Sequence, residues 1–329
     1  MIAAERKRLT DVARGAAHAD LYVHGGTLLN VYTGEVYPAN VAVRGERIAY
    51  VGAREDMVGP RTKMLEASGQ TLVPGYIDPH VHPGHLTTPS ALARFALPLG
   101  TTSVFADTLQ LWELGGLRAF HLVADALARS PLKFYWMIRP HAQSRSADEP
   151  RRYTLADLAK AMAHPCAVAI GEVTRWPEAW GGSLDLLRRL ALAHGRLPRV
   201  EGHTAGAAGE KVPGIAAAGF TSDHEPITAT YYGLDGDIGG IAPGRYVDLC
   251  LLDDLAEPRP SAVVARGQVA AVDGRLLARV PEPPWRRVFA SPEARLAVRW
   301  RARAASTSAL VPPCPGRASN RNPGDPPGT

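Results

Sequence analysis

The sequence predicts an α/β protein: a parallel (β/α) barrel that is incomplete, with about six of eight strands, flanked by a small β unit. Three observations predict it. Short apolar or β-branched runs recur, each ending in a residue of metal-ligand type. Apolar-rich stretches of helical length separate them, and strands alternating with helices imply βα units and a parallel sheet. From Val73 to Thr230 there are 158 residues, whereas an eight-fold barrel usually needs about 200 or more.

Residues 1–19 hold several charges and alanines without a long apolar core, which reads as a helical or loose leader rather than a signal peptide. From Asp20 to Val51 the chain alternates through LYVHGGTLLNVYTGEVYPANVAVRGERIAYVG with Gly-bearing turns, a small antiparallel β unit. Next comes TLVPGYIDPHVHPG. Residues at i and i+2 on a strand share a face, so an extended backbone here aims His80 and His82 the same way. Two neutral imidazoles converging from one strand end make half of a divalent-metal site. Taken alone, such a pair is as often a coincidence.

Thr102–Ala106 and Lys133–Ile138 are the next strand candidates. Three further runs then end in Glu172 (AVAIGEV), His203 (PRVEGHT) and His224 (GFTSDHE), and Ser183–Ala193 supplies one of the helical stretches between them. Ligand-type residues at the carboxyl ends of successive parallel strands converge at one mouth. A single buried His or Glu is usually no more than a satisfied core residue, but five in order at strand ends point to a site. His18, His24, His121, His164 and His194 fall elsewhere and read as structural or solvated. Six strands are accounted for by Glu225, after which the chain passes within a few residues to YYGLDGDIGG. Tyr246–Leu252 and Ser261–Val272 return to β-like patterning.

VPGYIDPHVHPG, AIGEV, EGHTAGAAGEK, AAAGFTSDHE and GDIGGIAPGRYVDLCLLDDL together resemble adenine deaminase of the amidohydrolase superfamily, over about Asp20 to Leu277. The resemblance implies an amidohydrolase-type barrel (residues 73–230, partial) and a β-sandwich formed by residues 20–72 and 240–280. It implies a pair of divalent metals, Mn or Fe in preference to Zn, held by His80, His82, Glu172, His203 and His224. Many relatives use a carbamylated lysine at the glutamate position; Gly171-Glu172-Val173 favours the deaminase branch. The implied substrate is a small-molecule purine and the implied assembly a homodimer.

The sequence departs from the family in two places. Family members carry strand seven and a strand-eight aspartate, a metal ligand and proton shuttle, in a stretch that is missing at the junction near Thr230. Asp235 and Asp237 lie close by but match a later segment. Glu225, directly after His224, is the candidate catalytic residue, and it serves equally as a carboxylate orienting its neighbour. After strand two the family has a His-Glu pair following Ala-Asp; Asp107 matches, and the pair becomes Leu109 and Gln110. Arg139 and His141, in MIRPHAQSR, read as a solvated loop or as substrate contacts. His85 reads as a loop residue near the pocket.

Composition sets the class. The chain has 329 residues, is 46% hydrophobic, and lacks an apolar run of about 18 residues, which argues against a membrane protein. Cys166, Cys250 and Cys314 are too few and scattered for a disulfide framework and fit a reducing cytoplasm. From Arg286 to Thr329, eight arginines face Glu293 and Asp325; that net +6 leaves −1 of the overall +5 for the rest. A nearly neutral body argues against nucleic-acid binding. Residues 304–329 are rich in Pro, Ser, Gly and Asn, a disorder signature. The function classes that remain are metal-dependent deamination of adenine to hypoxanthine and ammonia (purine salvage) impaired by the missing aspartate, a non-catalytic metal-binding or subunit-pairing remnant, and a related hydrolase of cyclic amides.

Overall fold

The central barrel strands Lys133–Ile138 and Ala167–Val173 are near-continuous apolar runs rather than alternating ones because both of their faces are covered. The computed structural model describes residues 1–193, 199–223 and 228–290. His194, His224, Glu225 and the tail 304–329 lie outside the described residues. The helix Ala3–Ala13 leads into β1 (Leu21–Leu29), β2 (Val36–Arg44), β3 (Arg47–Gly52), β4 (Lys63–Glu66) and β5 (Thr71–Pro74). The barrel section supplies β6 (Tyr76–Val81), β7 (Thr101–Asp107), β8 (Lys133–Ile138), β9 (Ala167–Val173), β10 (Val200–Gly202) and β11 (Ser222–Asp223). The chain then adds β12 (Leu249–Leu252), β13 (Ala262–Ala265), β14 (Gln268–Val272) and β15 (Arg275–Leu276).

Strands from both sides of the barrel section share one nine-stranded sheet, ordered β15-β14-β13-β12-β5-β1-β2-β3 with β4 on β1. The antiparallel pairing of β12 with β5, Leu249 opposite Pro74 and Leu252 opposite Thr71, joins the two sets. β1–β3 are antiparallel as the alternation predicts, but β4 and β5 run parallel to β1, so the sheet is mixed.

The second sheet is the barrel element. Its six strands run in the order β11-β10-β9-β8-β7-β6, all parallel. Among the described residues β6 and β11 do not pair, so the barrel stays open. β10 and β11 have three and two residues, shorter than their sequence runs suggest. A register shift between Val200 and Gly202 interrupts the pairing of β10 with β9, and no described strand follows β11 to extend the ladder.

Helices cover the outer face. Pro89–Ala96 starts with Pro at its first turn, and Thr88 accepts the Ala91 N–H at 3.2 Å. Leu155–Met162 uses Thr154 the same way, accepting from Asp157 at 3.1 Å. Leu109–Leu127 is kinked at Gly116, whose φ of +55° suits glycine; on either side of that kink, Trp112, Phe120 and Val123 pack into the core with Trp136 of β8.

The inner face is filled in another way. Phe105, Met137 and Ala169 point inward from β7, β8 and β9, and Tyr232 and Ile238, from beyond the short helix Thr228–Tyr231, pack onto them. Residues after the junction thus cover apolar surface that further strands would cover in a closed barrel. Below this layer Lys133 of β8 and Asp248 form a buried ion pair that ties the two sheets together.

Candidate metal centre

The carboxyl ends of β6 and β9 bring His80, His82 and Glu172 together, with one ligand atom of each within 4.8 Å of the others. The i, i+2 spacing does what the sequence suggests: the two Nε2 atoms lie 3.0 Å apart. Glu172 Oε2 is 3.4 Å from His82 Nε2 and 3.9 Å from His80 Nε2. A point equidistant from these three atoms lies about 2.0 Å from each, the usual bond length from a divalent metal to imidazole or carboxylate. The donor set therefore fits one ion without rearrangement. Glycines allow the close approach: a Cβ on Gly171 would meet Glu201 Cβ at 2.9 Å, and one on Gly84 would meet Gln110 Cβ at 2.7 Å.

His203, at the end of β10, reaches the other carboxylate oxygen: its Nδ1 contacts Glu172 Oε1. Four of the five predicted ligands thus meet around one carboxylate. The fifth, His224, and the candidate catalytic Glu225 lie outside the described residues.

Behind the imidazoles stand two carboxylates that the sequence reading did not place here. Glu201 Oε2 lies 3.8 Å from His80 Nδ1, and Asp107 Oδ1 lies 4.0 Å from His82 Nδ1. At these distances the carboxylates act on the imidazoles through their charge rather than through the close hydrogen bonds that orient a ligand ring. Burial lowers the proton affinity of His80, but the negative charges of Glu201, Asp107 and Glu172 around it outweigh burial, so its pKa is raised. The same negative potential attracts a divalent cation. His85 stacks on His82, ring centres 5.0 Å apart.

Arg139 corrects the sequence reading. It is neither solvated nor open to a substrate but fully buried. Its Nη1 donates to Asp107 Oδ2 at 2.8 Å and to Glu172 Oε2 at 2.9 Å; its Nη2 donates to Thr174 Oγ1 at 3.3 Å and to Gln143. Burial alone would raise the pKa of Glu172, yet its contacts with His82 and Arg139 hold it well below the usual carboxylate range. Asp107 Oδ2 also accepts the Glu172 N–H at 2.9 Å, fixing the backbone beneath the ligand. His141 is fully buried too, its Nδ1–H donating to the Ala142 carbonyl at 2.8 Å, and burial pushes its pKa down to about 3. The signal for Arg139 was a cation placed directly after an apolar strand, where a buried anion must answer it.

Asp237 offers nothing to the centre: it pairs with Arg47 at 2.7 Å, against the nine-stranded sheet. Asp235 acts on Tyr32 in the loop after β1, where its charge adds to burial in raising the pKa of that phenol. A second group, His121, Asp125 and His164, also falls within 4.8 Å. There His164 Nδ1 accepts the Cys166 N–H at 3.2 Å, which puts the proton on Nε2, 3.2 Å from Asp125. That tautomer donates a hydrogen bond and leaves no lone pair on Nε2 for a metal.

No family model matches the chain. It is 28% identical to the adenine deaminase of Moorella thermoacetica over 84% of its own length and 61% of that protein's. With the adenine deaminase of Paracoccus denitrificans it shares 27% identity, covering 84% of this chain and 62% of the relative. The chain thus spans less than two thirds of these relatives. The second alignment runs over 369 positions, more than the 329 residues of the chain, so the relative carries stretches without a counterpart here. Among solved structures, an adenosine deaminase from Xanthomonas campestris with bound zinc superposes with a TM-score of 0.51 at 14% identity, over 88% of this chain and 99% of that one. An amidohydrolase from a Sargasso Sea environmental sample gives 0.50 at 15% identity, over 87% and 99%. The fold is that of the amidohydrolases, and in sequence the chain is similar to adenine deaminases.

Proposed function

We propose that this chain carries the metal centre of an adenine deaminase-like amidohydrolase acting on a small purine, with impaired turnover. The observation that carries the reading is the convergence of His80, His82 and Glu172 on one point, with His203 on the second oxygen of Glu172. A divalent ion held there, Mn or Fe by likeness to the family, would supply Lewis acidity and lower the pKa of water. Glu201 and Asp107 place negative charge behind the imidazoles, and Arg139 keeps Glu172 ionised and in place. Proton transfer to the leaving amine needs a further carboxylate. Glu225 is the candidate by sequence, because Asp237 is paired with Arg47 and Asp235 is exposed near Tyr32.

The missing strand-eight aspartate underlies the impairment, since loss of a general acid/base costs about 10²–10⁴-fold. A second reading, a metal-binding protein without turnover, is favoured by one observation. Among the described residues, the segment after the junction sends Tyr232 and Ile238, not a carboxylate, into the barrel. The test is ammonia release from adenine by the protein loaded with Mn²⁺ or Fe²⁺. Slow hypoxanthine formation that Glu225→Gln abolishes supports impaired catalysis. Tight metal binding without turnover supports the second reading, and turnover of about 1–10³ per second rules out an impaired site.

A further inference from the structure

We propose that Gln143 is a substrate-binding residue of this centre, whose amide N–H donates to a ring nitrogen of the heterocycle bound there. The inference rests on the purine reading above and deepens it, because it names a group that would tell one heterocycle from another.

Arg139 fixes which way the amide points. A guanidinium carries donors only, so the Gln143 atom that meets its Nη2 is Oε1, and Nε2 is turned away from it. Among the described residues that Nε2 has no hydrogen-bond partner. Arg139 itself is held in place: it is fully buried and donates to Asp107, Glu172 and Thr174 as well. Its Nη1 sits 2.9 Å from Glu172 Oε2, the oxygen that faces His80 and His82. Both nitrogens belong to one planar group, so Gln143 stands two hydrogen bonds from a candidate metal ligand. It is exposed where Arg139 is buried, in the segment after β8 at the carboxyl end of the sheet.

The donor complements the other groups at the mouth. The buried carboxylates of Asp107, Glu172 and Glu201 accept hydrogen bonds and would repel the lone pair of a ring nitrogen. A purine turned with its amino-bearing carbon toward the centre presents two such nitrogens, one bonded to that carbon and one in the five-membered ring. A neutral donor already held in one orientation pairs with either at little cost in ordering. A cyclic amide carries a hydrogen on the nitrogen beside its carbonyl carbon, which would set donor against donor.

The test is calorimetric titration of the Mn²⁺-loaded full chain with adenine, 1-deazaadenine and 7-deazaadenine, beside the variant Gln143→Glu. That change keeps an oxygen on Arg139 in the same shape and removes the donor. We expect Gln143→Glu to hold Mn²⁺ like the unmodified chain and to bind adenine about three- to tenfold more weakly, the worth of one hydrogen bond. The deaza analogue that lacks the paired nitrogen should bind both proteins alike. Equal adenine affinity in the two proteins overturns the inference and leaves the purine reading intact. An equal loss for adenine and both analogues overturns it too. So does adenine affinity lost in step with Mn²⁺ affinity, which would make Gln143 only a support of Arg139. Should Gln143→Glu fail to fold, Gln143→Ala with the same three ligands decides. An unmodified chain that binds Mn²⁺ but no adenine overturns the purine reading and this inference together.

Discussion

The ring of Tyr232 lies nearly parallel to that of Phe105, with centres 4.3 Å apart, inside the open barrel. Phe105 belongs to β7 and Tyr232 follows the junction where two barrel strands would be expected. Stacked aromatics bury large areas and hold a preferred geometry. Tyr232 also donates its hydroxyl to Met137 Sδ at 3.5 Å. The contact shows how a six-stranded barrel hides its inner face.

Truncating that ring should be costly. Tyr232→Ala removes a buried aromatic and leaves a cavity against Phe105, so a loss of about 3–5 kcal/mol is expected. Tyr232→Phe keeps the stack and should cost about 1 kcal/mol for the weak hydroxyl contact. Urea unfolding followed by circular dichroism measures both. Equal, small losses would mean that the segment after the junction does not pack inside the barrel.

The buried Lys133–Asp248 pair makes a second expectation. Lys133 lies under the Tyr246 ring, 5.1 Å from its centre, and burial lowers its pKa against the pull of Asp248. Lys133→Met alone strands the Asp248 charge and should destabilise by about 3–5 kcal/mol. Replacing both partners by apolar residues, Lys133→Met with Asp248→Leu, should recover most of that loss. Unfolding free energies for the three variants test this, and a double variant no better than the single one would contradict it.

The pH dependence of stability has a definite sign at His141. Its folded pKa, about 3, lies below the ordinary histidine value of 6.5. Between these values the unfolded chain binds a proton that the folded chain refuses. Stability from this group is therefore complete above pH 6.5 and is lost as the pH falls toward 3, by up to about 1.4 kcal/mol per pH unit. His141→Leu should flatten the stability profile in that window by roughly one proton. An unchanged slope would show that the imidazole is protonated in the folded protein.

The ligands were legible in the sequence because each is local: His80 and His82 share a face two residues apart, and Glu172 and His203 close their own apolar runs. What supports them was not legible. Asp107, Arg139, Glu172 and Glu201 meet across contacts spanning tens of residues. The position of Arg139 right after an apolar strand hints at a buried cation, but MIRPHAQSR does not tell which two anions it meets. The stack of Tyr232 on Phe105 was likewise hidden, since an aromatic after a break reads as a loop until the vacancy it fills is known.

Metal binding itself should be measurable as stability. His80, His82 and Glu172 converge only when β6 and β9 are paired into the sheet, so an ion binds the folded chain and not the unfolded one. At a free Mn²⁺ concentration a hundred times Kd the gain should be about 2.7 kcal/mol, and chelation should remove it. His82→Ala takes away one atom of the three-point set and should abolish the gain. His164→Ala should leave it intact, because His164 already spends its Nδ1 lone pair on the Cys166 N–H and its Nε2 proton on Asp125. Thermal unfolding of the three proteins with and without Mn²⁺ separates the two clusters. A gain that survives His82→Ala but disappears with His164→Ala would move the metal from the mouth of the barrel to its outer helices.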